Sequence, residues 1–138
     1  MKYSIAFLIF LSVFTSCESH KSKKENTTSE SLKSPKETVT AYLAATNHFD
    51  FKTAKEFVIP NKGNFMNLET LEKMEKSIPD DQKSRFINKE KDAQYFEKEI
   101  TDSTARIILS PNQDIAMPIE FNLKKVNEKW LIESVISH

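Results

Sequence analysis

The feature that most constrains the fold is a change of period near Asp92. Before it, apolar side chains recur every three or four residues, and after it every second residue. Ser34 opens the first helical stretch as a cap, with Pro35 at the first helical position and Glu37 completing a capping box. Val39, Tyr42, Leu43 and Thr46 then mark its buried face. Asp50 caps a second, shorter helix with Ala54, Phe57 and Val58 inward, which ends before Pro60. After an irregular link through Gly63, a third helix places Leu68, Leu71, Met74 and Ile78 on one face and stops at Pro79.

The second half reads as strands at Tyr95–Ile100, Thr104–Ser110, Met117–Val126 and Lys129–Ile136. Ala105, Ile107 and Leu109 share one face, as do Ile119, Phe121 and Leu123 in the next strand. Trp130, Ile132 and Ile136 do the same in the last. Thr101-Asp102-Ser103 and Asn127-Glu128-Lys129 serve as turns, the latter without the usual glycine. Helices followed by an antiparallel meander predict an α+β domain over residues 34–138, with N-terminal helices packed on one face of a curved antiparallel sheet.

Residues 1–16 have a different character. Lys2 precedes an apolar run from Ile5 to Phe14, and Thr15 and Ser16 lead into Cys17, the single cysteine. A charged start, a short apolar stretch and small residues make a secretory signal. Placed before Cys17, this order resembles a bacterial lipoprotein signal, which implies that Cys17 is acylated and becomes the first residue. The alternative is ordinary secretory cleavage with Cys17 incidental, but bulky Phe14 stands where such cleavage wants a small side chain. Acylation implies a partner, the lipid bilayer, and an address in the bacterial cell envelope, at the outer membrane. From Cys17 to Lys33 the chain is nearly all Ser, Lys, Glu, Asn and Thr, with Leu32 its one sizeable apolar side chain. That composition predicts a disordered tether reaching about 20–25 Å.

The domain itself resembles the nuclear transport factor 2-like fold, and more narrowly small bacterial lipoproteins of unknown function built on it. The resemblance is carried by Ser34-Pro35-Lys36-Glu37-Thr38-Val39, Tyr42-Leu43-Ala44-Ala45 and Asp50-Phe51-Lys52-Thr53-Ala54-Lys55. Phe121-Asn122-Leu123 and Lys129-Trp130-Leu131-Ile132 complete it. The chain departs from the pattern at His48-Phe49, where a glycine often precedes the Asp, and at Glu128, where the hairpin glycine is usual. The resemblance implies a cone between helices and sheet. Tyr42, Phe57, Phe65, Phe121 and Trp130 either line a pocket there or pack as core. It implies little about activity, because one fold hosts many functions.

Several chemistries lack their residues. Basic and acidic side chains number 20 each, and losing residues 1–16 removes only Lys2, so the charge stays near zero and argues against a nucleic-acid partner. The three histidines, His20, His48 and His138, make no metal-ligand spacing, and no HExxH, CxxC or GxSxG occurs. A single glycine excludes the usual phosphate-cradling loops. No metal, cofactor or catalytic residue is therefore expected. Glu97 and Glu99 share a strand face with Tyr95, so they either enter the cone as acid–base groups or lie on a solvated face. The function expected is a membrane-anchored, non-enzymatic binding module engaging an envelope protein or a small apolar ligand. The alternatives are an isomerase or dehydratase using a carboxylate in the cone, and an immunity or inhibitor-like protein.

Overall fold

The computed structural model describes residues 34–112 and 117–138. The signal, Cys17 and the tether lie outside the described residues.

Helix α1, Pro35–Asn47, begins as its capping chemistry dictates: the Ser34 hydroxyl accepts from the Glu37 N–H at 3.2 Å, and Glu37 accepts from the Ser34 N–H at 3.1 Å. Thr38, Val39, Tyr42 and Ala45 form its buried stripe, and Leu43 and Thr46 are half-buried. Phe49 then takes a left-handed backbone, φ 60°, so the chain reverses where a glycine would be less strained. Asp50 caps α2, Phe51–Ala54, by accepting from the Thr53 N–H at 3.0 Å and the Thr53 hydroxyl at 2.7 Å. A 3-10 turn at Lys55–Phe57 buries Phe57.

Helix α3 spans Lys62–Ser77, so Gly63 lies inside its first turn and not in an irregular link. Asn61 is its cap, accepting from the Asn64 N–H at 2.9 Å. Leu68 is buried and Leu71 and Ile78 half-buried, but Met74 is exposed and Asn64 takes an inward place. After Pro79 come the short helix α4, Asp80–Lys83, and a 3-10 turn at Lys89–Lys91.

Strands β1, Gln94–Lys98, β2, Thr104–Ser110, β3, Ile119–Val126, and β4, Lys129–Ser137, form one antiparallel sheet in the order β1-β2-β3-β4. The β3–β4 hairpin turns at Asn127 and Glu128, both at positive φ, the backbone a two-residue hairpin requires with or without glycine. Pairing in β4 shifts between Asn122↔Ser134 and Leu123↔Ile132, so Glu133 is an extra, bulged residue. The bulge reverses the alternation beyond it. Trp130 and Ile132 face the helices, whereas Val135 takes the next inward position and Ile136 emerges on the other face.

The core lies between α1, the Phe57 turn, α3 and the inner face of the sheet, where Val39, Phe57, Leu68, Ile107, Phe121, Leu123 and Ile132 are at most 1% exposed. The buried Thr38 hydroxyl donates to the Trp130 carbonyl at 3.3 Å and ties α1 to β4.

Candidate functional site

Four of the five aromatic residues singled out by sequence meet in this core. Tyr42, Phe57, Phe121 and Trp130 are all buried, and the Tyr42 and Phe121 rings meet edge-on with centroids 6.1 Å apart. Burial pushes the Tyr42 phenol up to about 12. Phe65 is not with them. It is 41% exposed, because α3 starts early and gives its inward positions to Asn64 and Leu68, which leaves Phe65 turned aside.

Neither Glu97 nor Glu99 enters an interior space. Glu97 pairs in register with Ile107, an inward position, yet it is solvent-exposed at the sheet's edge. Glu99 leaves the face it was expected to share, because its backbone is left-handed at φ 48° and its carboxylate bonds Arg106 Nη2 at 2.9 Å. Sequence reasoning missed Glu90, the buried carboxylate among the described residues. Its Oε2 accepts from Asn47 Nδ2 at 2.8 Å, and its backbone carbonyl accepts from the Tyr95 hydroxyl at 2.7 Å. Glu90 lies in the Lys89-Glu90-Lys91 run, where no periodicity marks an inward residue.

The chemistry-bearing surface is the outer face of the sheet. Cross-strand partners share a face, so register places Lys98, Arg106, Asn122 and Ser134 in one row across all four strands. The next row is Phe96, Ile108, Glu120 and Ile136. Arg106 stands at the centre: one guanidinium nitrogen meets Glu99, another lies 3.7 Å from Glu120, and its Nε is shielded from water with no partner. Asn122 Nδ2 donates to Glu120 at 3.2 Å and to Ser134 at 3.3 Å, and Lys124 pairs with Glu133 at 2.6 Å. His138 approaches Glu120 at 3.8 Å.

A shallow cleft of about 250 Å³ opens here, lined by Glu99, Arg106, Asn122, Glu133 and Ser134 among others. A second, of about 150 Å³, lies between the start of α3 and β4 beside Asn61, Asn64 and Glu133. None of the expected pocket-lining aromatics borders either cleft. The outer face offers fixed, mutually paired charges beside exposed Phe96 and Ile136, an arrangement suited to recognition. Among the described residues no group of three or more His, Cys, Asp and Glu side chains is placed to hold a metal ion. No described helix is long and apolar enough to cross a membrane.

No protein-family model matches the chain, and no curated protein matches it. Among solved structures, the chain is similar to an NTF-2 like protein of unknown function from Shewanella oneidensis MR-1, at 16% identity and a TM-score of 0.43, over 73% of this chain and 93% of that one. The α+β class rests on this chain's own helices and antiparallel sheet.

Proposed function

We propose that this protein is a membrane-anchored, non-enzymatic binding module of a bacterial cell envelope, held by acylated Cys17 and engaging a protein partner through the outer face of its sheet. The anchor is supported by the order Lys2, apolar Ile5 to Phe14, small Thr15 and Ser16, then Cys17. Each buried methylene contributes about 0.8 kcal/mol, so two acyl chains hold stably where one holds marginally. An outer-membrane location follows from the same resemblance.

The observation that carries the binding reading is the contrast between a core closed by Tyr42, Phe57, Phe121 and Trp130 and an outer face with ordered charges and exposed apolar side chains. A protein surface suits that face better than a small apolar ligand, because the cleft found there is shallow and polar-walled. An isomerase or dehydratase needs a carboxylate facing an enclosed space, and Glu90 is bonded by Asn47 and borders neither cleft.

The test has two arms. A clickable fatty acid should label the wild type and not Cys17→Ala; an unlabelled wild type removes the anchor. A photoreactive residue replacing Asn122 should capture a defined envelope protein that the same residue at exposed Lys52, on α2, does not. Equal capture from both positions contradicts the assignment of the face.

A further inference from the structure

The two edges of the sheet are finished differently. Strand β4 is closed over by the segment after the Phe57 turn: Val58 bridges Ile132, and the Ile59 N–H donates to the Ile132 carbonyl at 2.8 Å. Asn61 and Asn64 donate to the carbonyl of bulged Glu133 at 3.0 and 3.2 Å. Among the described residues strand β1 has no such cover and pairs with β2 alone.

Which backbone groups β1 leaves open follows from the ladder. Antiparallel pairs alternate between those that exchange both N–H···O bonds and those that exchange none. The Lys125 N–H donates to the Ser103 carbonyl at 2.8 Å, one step beyond the pair Thr104↔Lys124. Ala105, Ile107 and Leu109 therefore bond toward β3, and Thr104, Arg106, Ile108 and Ser110 toward β1. The bond from the Thr101 N–H to the Thr104 carbonyl, at 2.8 Å, agrees. Gln94, Phe96 and Lys98 thus spend their backbone groups on β2, and Tyr95 and Glu97 aim theirs away from the sheet.

We propose that this edge docks a second copy of the chain, β1 against β1, antiparallel about a twofold axis through Phe96. Only that register overlaps the whole strand from Gln94 to Lys98. It lets Tyr95 exchange both backbone bonds with Glu97 of the other copy, and the axis repeats the exchange. It sets Phe96, 44% exposed in the single chain, directly against itself in a non-bonded pair, where side chains come closest. Gln94 faces Lys98, and no like charges oppose each other. A register centred on Glu97 would set two carboxylates face to face, and one centred on Tyr95 would leave Lys98 beyond the overlap. The contact does not depend on the anchor or on the partner proposed for the outer face.

One strand pair buries less than the roughly 1,200 Å² of a stable interface, so the contact is best read by trapping. Non-bonded pairs bring Cα atoms to about 4.5 Å, within disulfide reach. Under mild oxidation the full chain in detergent, carrying Phe96→Cys, should give about tenfold more β1-linked dimer than Gln94→Cys or Lys98→Cys alone, and those two variants should crosslink when mixed. Glu97→Pro, which removes only an outward-facing N–H, should abolish the Phe96→Cys dimer while leaving the circular dichroism spectrum unchanged. Equal yields from all three cysteine variants, or a Phe96→Cys dimer that survives Glu97→Pro, overturn the proposal. So does peptide mapping that joins the new cysteine to Cys17, which would make the N-terminal segment the occupant.

Discussion

On the helix-facing side of the sheet, Ile107, Phe121, Leu123 and Ile132 are sealed from water; on the other side of the same strands, Arg106, Asn122 and Ser134 stay half in it. The inner face is held by shape, since close-packed side chains have no room for substitution without a void or a clash. The outer face is held by pairing between charges that solvent partly screens, so its contribution to stability is small and its side chains are free to serve recognition. The two faces should therefore answer mutation very differently.

Phe121→Ala, at the centre of the inner face and against Tyr42, should lower unfolding stability by about 3–5 kcal/mol, read from urea denaturation. A loss below 1 kcal/mol would mean that the two faces differ less than their burial implies. Tyr42 gives the inner face a pH signature. Its phenol ionises near 12 when folded and near 10 when unfolded, so this stabilisation is complete below pH 10 and is lost as pH rises toward 12. The loss should be on the order of 2–3 kcal/mol across that window, and Tyr42→Phe should flatten it.

Asn64→Leu tests the join between α3 and the β4 edge. It removes an amide shared among the carbonyls of Ile59, Ile132 and Glu133, each of which keeps another partner. The expected cost is about 1–2 kcal/mol by thermal denaturation. On the outer face, Lys124→Ala breaks the exposed pair with Glu133 and should change stability by no more than about 0.5 kcal/mol, less still in high salt. A larger, salt-insensitive effect would show that the outer network is structural.

Much of this contrast is legible in the sequence. The caps at Ser34 and Asp50, the stripe of Val39 and Tyr42, and the alternation in β2 and β3 are local signals that the tertiary structure keeps. What escaped is where a local rule yields to a long-range contact. Asn61 reads as loop beside Pro60, but it caps α3, and that earlier start turns Phe65 out and Asn64 in. Glu133 reads as one more alternating residue, but its bulge sends Ile136 to the outer face. Glu99, just past the end of β1, has a backbone that no periodicity announces, so it parts company with Glu97. The outer face escaped for a related reason: the Arg106 network joins residues from three strands and the loop after β1, and only the register brings them together.

The central claim is that the domain is solid inside. Xenon probes this directly, because it enters dry apolar cavities and leaves packed cores empty. In methyl NMR spectra under xenon pressure, Ile107, Leu123 and Ile132 should shift no more than exposed Ile100 and Ile136. A saturable shift confined to the three interior side chains would reveal an open chamber and contradict the account.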